Sequence, residues 1–161
     1  MLKFVADGML GRLTRWLRML GYDVKYSTTL DDSQLMAVAR REKRVLLTRD
    51  LELFKQATAK GVEVFYLQGL KGEEKLAEVA KRFNIRVEID LAFSRCPKCN
   101  TKLRKTVKEK VQGKIEEKTL LHYTEFWKCP NCGQIYWQGS HWNGIRRTLE
   151  SVKNCLGVSS D

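Results

Sequence analysis

The sequence predicts an α/β fold with a parallel sheet over residues 1–93, followed by a small β-rich module. Two observations support this prediction. Short apolar runs alternate with amphipathic segments in the first part, and two Cys-x-x-Cys pairs follow in the second. Strands that alternate with helices are typical of a parallel sheet whose strands are joined by right-handed helical crossovers. A chain of 161 residues is also long enough to bury a core without disulfide bonds.

Each element is predicted from a local pattern. The first strand is an apolar run interrupted only by Lys3, and the helix after it repeats apolar residues at helical spacing before Gly21. The second helix begins at Asp31–Ser33, where the side chains favour a helix N-terminus. The predicted strands are 2–6, 24–26, 45–48, 62–67 and 85–89. The predicted helices are 9–20, 31 to at least 39, 50–60 and 73–83.

Acidic residues lie at the ends of two predicted strands. Asp7 directly follows the first strand, Asp50 closely follows the third, and Asp32 begins the helix between them. The carboxyl ends of neighbouring parallel strands meet at one edge of a sheet, so we expect these carboxylates to converge. Carboxylate oxygens suit Mg²⁺ or Mn²⁺, which lower the pKa of a bound water and stabilise a leaving oxygen. The pattern predicts phosphodiester hydrolysis.

Helix capping is the alternative role for the same acids. Asp is a preferred N-cap residue, and each of these acids stands just before a helix. We expect at least one of Asp31 and Asp32 to be a cap. Gly8 follows Asp7 and is itself able to cap, which favours a functional role for Asp7. The spacing alone leaves Asp50 open between the two roles.

Three arginines follow Asp7 on the first predicted helix. Arg12, Arg15 and Arg18 are three residues apart, so they form a row that lies away from the leucine face. The row begins about one turn after Asp7, which makes Arg12 and Arg15 candidates for holding substrate phosphates. The alternative is a solvated helix face, on which Trp16 simply packs.

Positive charge exceeds negative charge in both parts of the chain. Lys and Arg number 30 against 19 Asp and Glu, for a net charge of +11, of which +4 lies in residues 1–93 and +7 in residues 94–161. Surplus cations favour a nucleic-acid partner, because phosphates release counterions when Lys and Arg replace them. We find no apolar run long enough for a membrane span and no secretory signal, so we expect a cytoplasmic protein without a membrane partner.

The four cysteines of the two Cys-x-x-Cys pairs predict a metal site. The pairs are separated by 29 residues, and Asn100 and Gly133 directly after them suit the left-handed backbone that such turns need. Two pairs complete a tetrahedral zinc site without an open position, which predicts a structural ion. Disulfides and a redox pair are weaker alternatives. The predicted zinc ligands are Cys96, Cys99, Cys129 and Cys132.

Basic and aromatic residues lie between and after the cysteine pairs. The lysine-rich segment 102–118 predicts an exposed β-hairpin that turns near Gln112–Gly113. Aromatic residues among cations suit stacking on unpaired bases, although we expect at least two of Tyr136, Trp137 and Trp142 in the core. The cations predicted to contact RNA are Lys105, Lys108, Arg146 and Arg147. His122 and His141 are alternative zinc ligands, but four cysteines already suffice, so we expect both histidines to be structural or surface-exposed. We expect Cys155 to be a bystander thiol.

Several of these segments together resemble a known family. Residues 4–7, 9–13, 15–23 and 46–50, with the four-cysteine section, resemble the PIN-like ribonuclease domain named for the carboxyl-terminal domain of the nematode mutator-seven exonuclease. The resemblance covers about residues 1–145 and implies a PIN-like α/β fold followed by a zinc ribbon. It places Asp7, Asp32 and Asp50 at the family's acidic positions. PIN domains usually carry four acids, and the candidates for the fourth are Asp31 and Glu52.

The predicted organisation is a PIN-like nuclease domain (1–93), a four-cysteine zinc ribbon (94–145) and a C-terminal helix or tail (146–161). The predicted function is that of a cytoplasmic, Mg²⁺- or Mn²⁺-dependent ribonuclease whose ribbon assists RNA binding. The first alternative is a non-catalytic RNA- or ribosome-binding adaptor, in which the acids are caps. A protein-interaction module is the second alternative.

Overall fold

Four parallel strands form the central sheet of the computed structural model, which describes residues 1–157. The strands are β1 (Lys3–Ala6), β2 (Asp23–Tyr26), β3 (Val45–Thr48) and β4 (Val64–Tyr66). Their order in the sheet is β2-β1-β3-β4. The helices of this part are α1 (Gly11–Met19), α2 (Asp32–Glu42), α3 (Leu51–Ala59) and α4 (Gly72–Phe83). The predicted α/β fold with a parallel sheet flanked by helices is confirmed.

Side chains at alternate strand positions build two cores, one on each face of the sheet. Phe4 and Ala6 of β1 lie in the core shared with α1 and α4, whereas Val5 lies in the core shared with α2 and α3. Burial on both faces explains why β1 and β3 are nearly continuous apolar runs. Because the strands are parallel, the carboxyl ends of β1 and β3 meet at one edge, where Ala6 pairs with Leu47.

The predicted fifth strand, residues 85–89, is wrong. This segment forms no regular secondary structure and pairs with no strand of the sheet, which has four strands among the described residues. Ile85 and Val87 are each 5% exposed and pack into the core beside α4, while Arg86 and Glu88 face solvent. A segment that packs in this way shows the same two-residue alternation of buried and exposed side chains as a strand, without strand pairing.

A small antiparallel sheet forms the second part of the molecule. It consists of β5 (Arg104–Thr106), β6 (Phe126–Lys128) and β7 (Ile135–Tyr136), in that order. Two short helices, α5 (Lys108–Val111) and α6 (Glu117–His122), lie between β5 and β6. Both Cys-x-x-Cys pairs belong to this part, so the prediction of a small β-rich module with the cysteines is confirmed.

The predicted hairpin over residues 102–118 is wrong. β5 pairs with β6, so that Thr106 lies opposite Phe126, and the residues after β5 form α5 instead of a returning strand. The apolar residues Val107, Val111 and Ile115 are four apart, which is helical spacing and not the alternation of a strand. A tight turn around Gly113, which has a φ of 81°, does follow α5.

Helix α7 (Trp142–Cys155) leads from the cysteine module back to the α/β part. Leu149 and Val152 of α7 lie in the same core as Phe4, and α7 packs against α4. Residues 158–161, the end of the predicted C-terminal segment, lie outside the described residues. Over residues 1–157, no helix combines the length and the apolar character that crossing a membrane requires.

The first cysteine pair is fixed to the α/β part by hydrogen bonds. Arg18 of α1 donates from Nη1 to the Pro97 carbonyl at 2.9 Å and from Nη2 to the Val24 carbonyl at 2.8 Å. Asn100 donates from Nδ2 to Asp23 Oδ1 at 2.7 Å and accepts the Val24 N–H at 3.1 Å. Burial lowers the pKa of the Arg18 guanidinium, which nevertheless serves as a donor on both sides of the contact.

Candidate functional site

Asp7 is a buried carboxylate at the carboxyl end of β1. Its side chain is fixed at both oxygens, since Oδ1 accepts the Met9 N–H at 2.9 Å and Oδ2 accepts the Thr48 hydroxyl. Asp7 is 6% exposed, and these two donors offset part of the free-energy cost of burying a carboxylate. Each oxygen keeps a second lone pair, so Asp7 remains able to bind a cation.

Thr48 connects the ends of β1 and β3. Its buried hydroxyl donates to Asp7 Oδ2 and accepts the Asp50 N–H at 2.9 Å. Thr48 therefore orients Asp7 and positions the start of α3 with a single oxygen atom. Thr48 is not among the residues predicted from the sequence, although its hydroxyl at the end of the otherwise apolar segment 45–48 is a signal that the sequence contains.

We expect Thr48→Val to lower the free energy of unfolding by about 1–3 kcal/mol, because a side chain of the same shape leaves the buried Asp7 Oδ2 and the Asp50 N–H without this hydrogen-bond partner. Thr48→Ser keeps the hydroxyl and should recover much of the loss. Urea unfolding of both variants measures the difference. A Thr48→Val protein as stable as the parent, or less impaired than Thr48→Ser, would contradict the bridging role.

Two acids near Asp7 cap helices. Asp50 Oδ1 accepts the Glu52 and Leu53 N–H groups at 2.9 and 3.2 Å, at the start of α3. Asp31 caps α2 in a reciprocal pair with Gln34, whose N–H donates to Asp31 Oδ1 at 2.8 Å. Asp50 is exposed, and its Oδ2 makes no hydrogen bond within the described residues. Capping therefore occupies one oxygen of Asp50 and leaves the other free.

Asp32, the first residue of α2, lies within electrostatic reach of the other acids. Burial raises its pKa, and so do the negative charges of Asp50, Asp31 and Asp7. We call Asp7, Asp32 and Asp50 the acidic group. Their donor oxygens are not all within 4.8 Å of one another, since the four cysteines are the one such group found in the described residues. Glu52 is exposed in the first turn of α3.

The arginine row of α1 divides into two parts. Arg12 and Arg15 are exposed, and neither belongs to an ion pair within residues 1–157. Arg18 is 7% exposed and holds the first cysteine pair instead. Arg12 and Arg15 are thus the members of the row that are available to an external phosphate.

The other predicted RNA-binding cations lie on the cysteine module and α7. Lys105 forms an ion pair with Glu125 at 3.3 Å and lies over the Trp127 ring. Lys108 begins α5, and Arg146 and Arg147 are exposed on α7. These cations belong to different elements from the acidic group. Of the aromatic candidates, Trp142 is buried at 6% exposure and the other two, Tyr136 and Trp137, are half-buried.

The four cysteine sulfurs form a group that can hold a metal ion. All four lie within 4.8 Å of one another, and the pairs Cys96–Cys132 and Cys99–Cys129 are 3.7 and 3.3 Å apart. A zinc ion bound at about 2.3 Å by four sulfurs keeps them about 3.8 Å apart, so the residues present fit zinc. Asn100 and Gly133 have φ of 72° and 79°, as such turns require.

The cysteines differ in how strongly they favour the metal-binding thiolate, because burial raises the pKa of Cys129 to about 11. Burial also opposes ionisation of Cys99, but hydrogen bonds with Thr101 lower its pKa to about 5, which favours the thiolate. The Tyr136 hydroxyl lies 3.1 Å from Cys96 Sγ, and burial together with that sulfur raises the tyrosine pKa, so the phenol stays a donor. His122, His141 and Cys155 are exposed and outside the cluster.

The fold and these two sites define an α/β protein with acids at the carboxyl edge of a parallel sheet and a four-cysteine metal-binding module. Comparison with family models then gives the family: the chain belongs to the Mut7-C RNAse domain family, whose model matches residues 2–149. This match confirms the resemblance found in the sequence. The family is described as an RNAse domain, that is, as a hydrolase that acts on nucleic acid.

One curated relative matches the chain over part of its length. It is the human protein described as "Exonuclease mut-7 homolog", which is 36% identical over 101 residues, or 61% of this chain. Those residues span 12% of the relative, so the chain corresponds to a small portion of that protein. The comparison with solved structures found no match.

Proposed function

We propose that this chain is a metal-dependent ribonuclease that hydrolyses RNA phosphodiester bonds at the acidic group. The observation that carries the proposal is the buried carboxylate of Asp7 at the carboxyl edge of the sheet, which the Thr48 hydroxyl links to the Asp50 backbone. Burial and the charges of Asp50, Asp31 and Asp7 also raise the pKa of Asp32. Like charges held together cost free energy, and a bound divalent cation removes that cost. Membership in a family described as a ribonuclease domain supports the same function.

The residues present fit Mg²⁺ or Mn²⁺ in their chemistry, because carboxylate oxygens are the hard ligands that these ions prefer. Asp7 would hold the ion from a fixed position, while Asp32 and Asp50 would hold it from the solvent side. When bound, such an ion supplies a water of lowered pKa and stabilises the leaving oxygen of a phosphodiester.

Asp32 and Asp50 have the freedom to approach Asp7. Asp50 is exposed and Asp32 half-buried, so rotation of either side chain disturbs little packing. Asp50 Oδ1 accepts the N–H groups at the start of α3, while Oδ2 makes no hydrogen bond within the described residues. Because the three carboxylates are not all within 4.8 Å of one another, the proposed site requires Asp32 and Asp50 to move toward Asp7 when a cation is bound.

Cations on α1 and on the cysteine module would bind the RNA backbone. Arg12 and Arg15 present exposed guanidinium groups, which suit bidentate hydrogen bonds to phosphate. Lys105, Lys108, Arg146 and Arg147 would add contacts from the second part of the molecule. We propose further that the four cysteines hold a structural zinc ion and that the protein acts in the cytoplasm, where reducing conditions preserve thiols.

The test is cleavage of labelled RNA by the full chain with Mg²⁺, with Mn²⁺ and with neither. We expect cleavage only with an added divalent ion, and we expect the rate to fall as acid protonates Asp32. Calcium is a matched control, because it binds oxygen ligands with a looser geometry and need not support the reaction. Cleavage at an undiminished rate without any added metal would contradict the proposal.

A non-catalytic RNA-binding adaptor is a second candidate, and one observation favours it. Asp31 and Asp50 both cap helices, which gives these acids a structural role without any metal. The adaptor would bind RNA and would show no cleavage with any divalent ion. The same assay therefore separates the two functions.

A further inference from the structure

A groove runs along α1 between Met9, two residues after Asp7, and Pro97 of the first cysteine pair. It consists of two adjoining depressions of about 400 and 380 Å³, which share Arg12, Gly72 and Glu73. The near depression extends to Met9, whose N–H binds Asp7. The far depression is closed by Pro97 of the cysteine module and by residues of α7. The α/β part, the cysteine module and α7 thus all contribute residues to the lining of the groove.

The walls of the groove are predominantly basic. Arg12, Lys71 and Lys75 line its near half, Arg12 and Arg15 line its far half, and Glu73 is the one acid in either lining. Within residues 1–157, none of these four cations forms an ion pair. Unpaired cations along a groove favour a polyanion that lies in it.

Apolar side chains stand among these cations. Met9 is 70% exposed and Leu70 is 76% exposed, and both line the near half. Trp16 is half-buried and lines the far half beside Arg15. A duplex would present mainly phosphates to such a surface, whereas unpaired nucleotides also offer base faces that stack on aromatic and apolar groups. The combination fits a single strand better than a duplex.

The loop that carries Leu70 is held in place before any ligand binds. Glu78 accepts the Gln68 and Gly69 N–H groups at 2.9 and 2.7 Å, and Glu74 accepts the Leu70 N–H at 3.0 Å. A side chain at Gly69 would place its Cβ 2.8 Å from Glu74 Cβ, so the loop needs a glycine there. An exposed leucine on a fixed loop loses little conformational freedom when it contacts a base.

We propose that this groove is the binding channel for an unpaired RNA segment, which leads a single strand along α1 to the acidic group. That the bound strand leads toward the acidic group rests on the proposed nuclease function. The proposal also assigns the substrate class, which is RNA with an unpaired stretch. The cations bind successive phosphates, and Met9, Leu70 and Trp16 contact the bases.

The test measures binding of a fluorescent single-stranded RNA of about 12 nucleotides, and of its duplex, to the full chain without added divalent ions. We expect tighter binding of the single strand. Lys75→Glu in the near half and Arg15→Glu in the far half should each weaken it by about tenfold or more and reduce its salt dependence. Leu70→Ser should weaken the single strand about threefold and leave the duplex unchanged.

Lys81→Glu is the matched control, because Lys81 is exposed on the same helix as Lys75 but does not line the groove. Equal losses from Lys75→Glu and Lys81→Glu, or duplex binding as tight as single-strand binding, would overturn the channel. Strand binding that follows the groove variants without any cleavage supports the channel and contradicts the nuclease function. Cleavage with a KM that Lys75→Glu does not change overturns the channel and leaves the nuclease function standing.

Discussion

Asp50→Ser should reduce RNA cleavage by more than about 100-fold while the protein stays folded. Serine caps a helix about as well as aspartate, so the hydrogen bonds at the start of α3 persist and the free energy of unfolding should change by less than about 1 kcal/mol. The carboxylate that would bind the metal is lost. Removing even an outer partner of a metal ligand costs about 10- to 100-fold, and loss of a direct ligand costs more.

The measurement is the initial rate of cleavage at a fixed Mn²⁺ concentration, together with urea unfolding of the same preparations. Asp90→Ser is the matched control, because the Asp90 carboxylate also accepts a backbone N–H, that of Ala92 at 2.9 Å, outside the acidic group. It removes the same charge and should leave the rate unchanged. If Asp50→Ser cleaves RNA like the parent, Asp50 is only a cap, and the metal site loses one of its three ligands.

The sequence was most informative where a local pattern and the tertiary structure agree. Strands β1 and β3 are buried on both faces. Their nearly continuous apolar runs therefore indicate both that they are strands and that they lie inside a parallel sheet. The segment 85–89 shows the limit of this reasoning, since its alternation arises from packing beside α4 and not from pairing. A periodicity reports which side chains are buried but not which backbone groups pair.

In the candidate site too, the sequence predicts what depends on a local pattern and not what depends on contacts across the fold. The strand-end position of Asp7 follows from the sequence, because the end of a buried apolar run is easily located. The roles of Thr48 and Arg18 did not follow, since each depends on a contact across the fold. Thr48 reaches an acid 41 positions away, and Arg18 binds a carbonyl 79 positions away. Without a fold, a row of arginines gives no sign that its third member is buried.

Loss of the proposed zinc site should have the second large effect, and it should act on stability. Cys129→Ser is expected to lower the zinc content and to unfold the cysteine module. Structural zinc contributes about 10–16 kcal/mol of binding free energy in small zinc modules, which is as large as the whole stability of an ordinary domain. The core around the sulfurs is small: Leu91, Leu103 and Trp142 are its buried members besides Cys96 and Cys129.

Tryptophan fluorescence reports this unfolding directly. Trp142 is 6% exposed and packs in the same cluster as Cys129, so its emission should move to longer wavelength when the module opens. Cys155→Ser removes an exposed thiol outside the sulfur cluster and should change neither the zinc content nor the emission. Because Pro97 and Asn100 are tied to α1 and β2, opening of the module should also lower the thermal midpoint of the α/β part. A Cys129→Ser protein that retains a full zinc content and the parental emission would contradict a four-cysteine structural site.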